Sequence, residues 1–285
     1  MFGFLNVYKP KGKTSHDVVA YLRRVTKVKQ IGHTGTLDPF AEGVLPVCIG
    51  KATRLIEYLS DDKAYKGIVQ LGYSTTTYDT EGDIVKSSDK TVSADEIENA
   101  LNNFKGEIMQ TPPVYSAIKV NGRKLYEYAR RGEEVNVEPR KVSINKIVLL
   151  NYDSDLRQAE LLIECSKGTY IRSIANDLGE MLGTYGHLIK LVRIKAGSFD
   201  IDSSLSLDTL QTKEQVESNL IYPLERLSYP KYELSLSDYE RVSHGMNISS
   251  TKTFNDGIVM LIKNNMLVAV AEKTGDIIKC NKVFI

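Results

Sequence analysis

Residues 32–54 read Gly-His-Thr-Gly-Thr-Leu-Asp-Pro-Phe-Ala-Glu-Gly-Val-Leu-Pro-Val-Cys-Ile-Gly-Lys-Ala-Thr-Arg. Four glycines, two prolines, a histidine and an acid pair, Asp38 and Glu42, crowd around one short apolar run at 44–49. So many glycines and prolines in a short stretch are typical of a loop held in a definite shape. A shaped loop fixes the direction of a carboxylate, which makes Asp38 a candidate for chemistry. The local pattern also fits the start of a helix, with Asp38 as N-cap and Pro39 at the first helical position.

The order of residues in this stretch resembles the signature of the TruB family of tRNA pseudouridine synthases. Three blocks carry the resemblance: Gly-His-Thr-Gly-Thr-Leu-Asp-Pro at 32–39, Ala-x-Gly-Val-Leu-Pro at 41–46 and Gly-x-Ala-Thr at 50–53. The resemblance implies that Asp38 is the catalytic residue and that His33 fills the space left by the target nucleotide. It also implies the family's α+β fold, with a large mixed, mostly antiparallel sheet flanked by helices and a small C-terminal β-domain.

Further positions along the chain match the family's active site. Tyr65 lies in a strand-like segment at the place of the active-site tyrosine, which stacks on the flipped uracil. Leu191 matches an apolar residue that lines the site. Tyr170 is expected to contact the substrate, since it stands in the matching block that precedes Arg172.

Arg172 comes in the first turn of a predicted helix, where a cation opposes the helix dipole. A specific carboxylate partner would explain its position, and the resemblance implies that this partner is Asp38. The local pattern alone also fits a surface residue.

Lys9 stands in a Lys-Pro-x-Gly turn after a first apolar strand. The turn resembles the family's N-terminal motif, which makes Lys9 a candidate for substrate binding. A solvated turn lysine fits the same pattern.

The segment 112–141 is dense in charge. Its seven basic side chains are interleaved with three tyrosines, a mixture suited to phosphate neutralisation and base stacking. The corresponding segment of the family is a mobile thumb that closes on RNA, and we expect it to bind substrate through Arg123, Lys124, Arg130 and Arg131. Because four glutamates dilute the field, the segment also fits an ordinary solvated face. The basic residues are Lys119, Arg123, Lys124, Arg130, Arg131, Arg140 and Lys141.

The composition of the chain changes near residue 230, after which apolar and polar runs alternate as in β-hairpins. We expect a catalytic domain at 1–229, including the thumb, and a small domain at 230–285. The second domain resembles a short version of the PUA-type RNA-binding domain that usually ends family members.

The length, composition, net charge and cysteine count of the chain limit the kinds of protein it can be. It has 285 residues, 42% of them hydrophobic, and no apolar run long enough to span a membrane. Its N-terminus enters a strand directly, without the charged-then-apolar layout of a signal peptide, so we expect a cytoplasmic protein. The net charge is +1, which means that any attraction to nucleic acid must be local. Three widely spaced cysteines indicate neither a disulfide framework nor a metal site, and we expect a monomer.

The resemblance implies a function: isomerisation of uridine to pseudouridine in the T-loop of tRNA, at position 55, by base flipping and without a metal or cofactor. The partner would be the T-arm stem-loop. One alternative is a tRNA-binding or chaperone protein with an idle catalytic loop. Another is a metal-dependent nuclease or phosphotransferase, for which Asp61 and Asp62 are the nearest candidate ligands.

Overall fold

The structure is a computed structural model that describes residues 1–129, 131–133, 135–249 and 255–285. Its α-helices are α1 (Ser15–Thr26), α2 (Ala94–Leu101), α3 (Leu125–Ala129), α4 (Ile171–Leu182), α5 (Lys213–Ser218) and α6 (Leu236–Ser243). Short 3-10 helices lie at Gly50–Tyr58, Asn102–Phe104, Ile201–Ser203, Leu207–Thr209 and Pro223–Glu225. The strands are β1 (Gly3–Lys9), β2 (Ile31–His33), β3 (Glu42–Ile49), β4 (Lys63–Leu71), β5 (Tyr73–Thr75), β6 (Ile84–Ser87), β7 (Gly106–Gln110), β8 (Lys119–Val120), β9 (Arg123–Lys124), β10 (Arg140–Asp153), β11 (Gln158–Cys165), β12 (Gly186–Ala196), β13 (Phe199–Asp200), β14 (Lys231–Glu233), β15 (Ile248–Ser249), β16 (Gly257–Lys263), β17 (Met266–Thr274) and β18 (Ile277–Val283).

The large sheet has the strand order β1-β3-β12-β4-β11-β10-β7, with β2 added to β3 and β13 to β12. Its neighbours are antiparallel apart from the parallel pair β3 and β12, among the strands described. Helices α1 and α4 bury their apolar stripes against different parts of this sheet: Leu22 packs near Leu45, and Ile174 near Leu188. The predicted α+β architecture is confirmed.

The loop that carries Asp38 connects β2 to β3 and lies over the centre of the sheet. Three neighbouring strands meet at one level beneath it, because Tyr65 of β4 is opposite Arg193 of β12, and Arg193 is opposite Gly43 of β3. The sheet register therefore brings a tyrosine and an arginine from distant parts of the chain to the base of this loop.

Gly43 is required by the close approach of β3 to β12. Its φ is +106°, and a Cβ placed there would meet the carbonyl oxygen of Arg193 at 2.3 Å. Gly12 shares a positive φ of +84°, but a methyl group there would have no described atom within 4 Å.

We expect Gly43→Ala to destabilise the protein by about 1–3 kcal/mol more than Gly12→Ala, since only the first adds overpacking to the cost of a left-handed backbone. Thermal or urea unfolding of both variants measures the difference. Equal losses of stability would show that β3 and β12 separate easily.

The strands after residue 230 form their own sheet in the order β14-β16-β17-β18-β15, which confirms the predicted small C-terminal β-domain. This sheet docks on the rest of the molecule: Phe284 stacks on Phe2 at 5.6 Å between ring centroids, and Arg54 Nη1 donates to the Val283 carbonyl at 2.8 Å. The predicted domain bounds and the resemblance to a PUA domain stay predictions.

Local sequence patterns misjudged some elements. Residues 38–41 form a turn closed by the Ala41 N–H and the Asp38 carbonyl, so Asp38 does not start a helix. The stretch 207–220, which reads as one helix, is split into a 3-10 turn and α5, with Thr212 capping α5. None of the helices in the described ranges has the length and apolar character needed to cross a membrane.

Candidate active site

A cavity of about 320 Å³ opens beside the Asp38 loop. The loop 34–38 forms one wall, and the start of α4 with the loop before it forms another. The predicted site residues Tyr65, Leu191 and Tyr170 line it together with Asp38 and Arg172. The structure thus gathers in one pocket residues that are far apart in the sequence.

Arg172 holds the Asp38 carboxylate. Its Nε lies 2.9 Å from Asp38 Oδ2, an ion-pair contact in which the N–H is not aimed well enough for a regular hydrogen bond. The Arg172 side chain is 5% exposed, whereas that of Asp38 is 35% exposed and faces the cavity. The expected pair is present, and it leaves the carboxylate accessible while its partner is buried.

A second carboxylate, Asp79, completes the surroundings of Arg172. Asp79 Oδ2 is 3.3 Å from Arg172 Nη1, and the side chain of Asp79 is 4% exposed. The guanidinium also donates to the carbonyls of Thr77 at 3.0 Å and Tyr115 at 3.1 Å. Asp79 itself accepts from the Thr77 hydroxyl and the Glu81 N–H. Arg172 is therefore fixed by a buried acid and two carbonyls, and it presents its remaining edge to Asp38.

Tyr65 lies on the sheet side of the cavity and is almost fully buried. Burial raises the pKa of its phenol, and the neighbouring Arg193 guanidinium opposes that effect only in part, through its charge and a hydrogen bond. The side chain is therefore a neutral phenol at physiological pH, with an aromatic ring available to stack and a hydroxyl held by Arg193.

Arg193 anchors the Asp38 loop from below. It is completely buried, and it donates to the carbonyls of Val44 at 2.6 Å, Gly35 at 3.1 Å and Thr36 at 3.4 Å. No carboxylate in the described part of the chain is within ion-pair distance of Arg193. Backbone carbonyls thus stabilise this buried cation. Its hydrogen bonds also fix the Asp38 loop on both sides of Asp38.

Leu191, Tyr170 and His33 take different positions around the site. Leu191 is a buried part of the cavity wall, and Tyr170 is held by a double hydrogen bond between its backbone and the Gln110 side chain. His33 ends β2, next to the lining residue Thr34 but not in the lining itself. Burial, with Arg193 and His16 nearby, lowers the pKa of His33, so its imidazole is neutral.

The structure corrects the expectation for Lys9. Its side chain is 0% exposed, and its ammonium donates to the carbonyls of Lys13 at 2.6 Å, Pro10 at 3.0 Å and Pro39 at 3.4 Å. Burial lowers the pKa of Lys9 to about 8, despite the opposing effect of the Asp38 carboxylate. Lys9 is therefore not a solvated turn lysine, because its ammonium closes the turn against the Asp38 loop. Its contribution to substrate binding stays a prediction.

Two arginines of the thumb segment, Arg123 and Arg131, are paired with one glutamate. Arg123 Nη1 lies 2.8 Å from Glu133 Oε2 and its guanidinium stacks over Tyr128, while Arg131 lies 3.7 Å from the other oxygen of Glu133. Lys124 lies over the ring of Tyr126. Arg130 lies outside the described residues. Asn121 and Gly122, a pair typical of hairpin turns, connect β8 to β9 and both have a positive φ.

Acidic side chains near the cavity do not group as metal ligands. Asp61 pairs with Lys167 at 2.7 Å at the cavity rim. In the ranges that the structure describes, no three His, Cys, Asp or Glu side chains are clustered so as to hold a metal ion.

Comparisons with known proteins agree with this geometry. The family model described as "TruB family pseudouridylate synthase (N terminal domain)" matches residues 23–171, and the model described as "tRNA pseudouridylate synthase B C-terminal domain" matches residues 172–228. The chain is 40% identical to the tRNA pseudouridine synthase B of Caldanaerobacter subterraneus subsp. tengcongensis over 99% of both chains. It belongs to the TruB family.

Further relatives and solved structures are consistent with that membership. The chain is 44% identical to the tRNA pseudouridine synthase B of Carboxydothermus hydrogenoformans, over 100% of this chain and 99% of the relative. A protein in a solved H/ACA RNP bound to a substrate RNA containing 2′-deoxyuridine has the same fold, with a TM-score of 0.74 and 26% identity over 100% of this chain and 85% of the other.

Two residues of this TruB-family site were missed in the sequence: Asp79 and Arg193. The period-2 alternation of β12 places Arg193 on the same face as Leu191, a signal that could have found it. Asp79 stands in a polar, Thr-rich run that reads as an exposed excursion. Nothing in that run indicates a buried carboxylate.

We expect Arg193→Lys to lower kcat by about 10²-fold with a much smaller effect on tRNA affinity. One ammonium cannot hold the carbonyls on both sides of the loop, and a shift of Asp38 by about 1 Å would slow the reaction by about that factor. Single-turnover assays measure the chemical step directly. Lys190→Gln, an exposed change on the same strand, is the control. A wild-type rate for Arg193→Lys would show that the loop holds its shape unaided.

Proposed function

We propose that this chain isomerises uridine to pseudouridine in tRNA, and that its target is the T-loop uridine at position 55. One observation carries the proposal: a partly exposed carboxylate, Asp38, faces a cavity that also contains Tyr65 and Leu191, while a buried arginine fixes its direction. Family membership supports the reaction class. The T-arm of tRNA as the bound partner rests on the resemblance of the motifs.

The substrate base enters the cavity by flipping. A nucleotide of a structured loop must leave its stack to reach a recessed carboxylate, at a cost of a few kcal/mol. The cavity volume is in the range of small-ligand pockets. Tyr65 offers a ring face for stacking on the uracil, and Leu191 and Tyr170 offer apolar surface around it.

The isomerisation breaks the bond between C1′ of the ribose and N1 of uracil and forms a bond between C1′ and C5. The proton on C5 is removed and N1 is left protonated, so no atom is gained or lost and no redox partner is required. Asp38 acts as the nucleophile or as the anion that stabilises the separated fragments. Arg172 orients Asp38, while Tyr65 remains protonated and contributes stacking.

We further propose a catalytic domain at 1–229, an RNA-binding domain of the PUA kind at 230–285, and a cytoplasmic, monomeric enzyme. The C-terminal sheet docks firmly on the body of the molecule, which supports a fixed rather than a tethered accessory domain.

The experiment that tests this function uses the purified full chain and an unmodified tRNA transcript, without added metal or nucleotide. Pseudouridine is mapped by a chemical stop assay. We expect one modified site, at the T-loop uridine, and none in a transcript with cytidine there. A folded protein that modifies nothing would overturn the function, and modification elsewhere would overturn the proposed target.

A further inference from the structure

We propose that the main phosphate-binding surface of this protein is an exposed basic face formed by α1 and the segments just before and after it, rather than the thumb. The inference rests on the proposed function for the identity of the RNA. The residues of this α1 basic face are Lys11, Lys13, Arg24, Lys27 and Lys29, all of them exposed.

Residues 9–29 are strongly basic, although the whole chain has a net charge of only +1. Residues 9–29 contain seven Lys or Arg and one acid, Asp17. That acid is engaged in the capping box of α1 with Thr14. Local positive charge of this kind attracts RNA phosphates even where the total charge does not.

Arg24 lies on the outer side of α1, and the other four cations lie in the segments on either side of the helix. Val18, Val19 and Leu22 are buried, whereas His16, Ala20 and Arg24, which follow at helical spacing, are exposed. Lys27 and Lys29 continue the exposed face beyond the last turn. The helix thus packs its apolar stripe on the sheet and turns a basic surface to the outside.

These cations are free of acidic partners in the part of the chain that the structure describes. Among the described residues, none of the α1 basic face takes part in an ion pair. In the thumb, Arg123 and Arg131 share Glu133, and Lys141 is paired with Glu107 at 2.8 Å. The other described thumb cations, Lys119, Lys124 and Arg140, take part in no ion pair with a described acid. A phosphate has to displace a carboxylate to use those thumb arginines, whereas it meets no competitor on α1.

Helix stability does not account for the whole face. Cations in the last turn and just beyond it, such as Arg24 and Lys27, interact favourably with the negative end of the helix dipole. Lys11 and Lys13 precede the N-terminus of the same helix, where a cation is unfavourable. A surface that binds an anionic partner explains both ends.

The face begins at the rim of the candidate active site. The Gly12 N–H donates to the Pro39 carbonyl at 2.8 Å, and the Ser15 hydroxyl exchanges hydrogen bonds with the backbone of Leu37. An RNA whose flipped base meets Asp38 therefore has its neighbouring backbone within reach of Lys11 and Lys13. The rest of the face leads away from the cavity along α1.

The test compares the salt dependence of tRNA binding in variants that remove charge from different surfaces. Each duplex phosphate that a cation neutralises contributes about −0.9 to the slope of log affinity against log salt. We expect the triple variant Arg24→Gln, Lys27→Gln, Lys29→Gln to flatten the slope by about two units and to raise the Kd for tRNA. The thumb variant Arg123→Gln, Arg131→Gln should change it by less than about one unit.

The control variant removes the same charge elsewhere, from the exposed residues Lys86, Lys105 and Lys146, and is expected to keep the wild-type slope. The double variant Lys11→Gln, Lys13→Gln tests the same face without touching the helix, and should flatten the slope even if the triple variant folds poorly.

A wild-type slope in both α1-face variants, or a larger effect in the thumb variant, overturns the proposal. Binding is measured independently of turnover. The salt slopes therefore show whether the α1 basic face binds tRNA phosphates even if the wild-type protein forms no pseudouridine.

Discussion

Asp38→Asn is expected to abolish pseudouridine formation while tRNA affinity stays within a few-fold of wild type. The amide has nearly the shape of the carboxylate, but it can act neither as an anionic nucleophile nor as an anionic stabiliser. Because the Asp38 side chain is partly exposed, and Arg172 keeps Asp79 as a buried acidic partner, the fold should tolerate the change. Pseudouridine mapping under single-turnover conditions and a filter-binding measurement of Kd give the two readouts.

The same cavity supplies a matched control. Asp61 is another carboxylate of its lining, paired with Lys167 at the rim, and Asp61→Asn is expected to retain most activity. Residual activity of Asp38→Asn above about a tenth of wild type would show that Asp38 is not the reacting carboxylate.

Arg172→Ala should have the largest combined effect on stability and turnover. It leaves the Asp79 carboxylate, 4% exposed, without its cation, and the removal of one partner from a buried ion pair typically costs about 3–5 kcal/mol. It also frees Asp38 from its orienting contact and releases the carbonyls of Thr77 and Tyr115. Denaturant unfolding and single-turnover assays measure the two losses.

Two further variants separate the stability of Arg172→Ala from its catalytic effect. Adding Asp79→Asn to Arg172→Ala removes the orphaned charge, so it should restore part of the stability but none of the activity. Arg172→Lys keeps the charge but not the planar fork that serves two acids and two carbonyls, so it should fold better than the alanine variant and still turn over slowly. Normal stability in Arg172→Ala would mean that Asp79 finds another donor.

Through its resemblance to the TruB family, the sequence by itself determined the fold class, the Asp38 loop and the site residues Tyr65, Arg172 and Leu191. These inferences depend on short motifs such as His-Thr-Gly-Thr-Leu-Asp-Pro. Such a motif places particular residue types at a fixed spacing, so it can be compared directly with the family's signature. The pairing of Arg172 with Asp38 came from the family resemblance and is present in the structure.

Only the tertiary structure decided which charges are buried and which are free. Lys9 looks like an exposed turn lysine until three carbonyls of neighbouring segments close around it, and Arg193 gains its role from the register between β4, β12 and β3. Asp79 reads as part of a polar loop, yet it lies beside Arg172. The physical reason is the same in each case: desolvation and pairing depend on neighbours that are distant in sequence, and no local pattern encodes those neighbours.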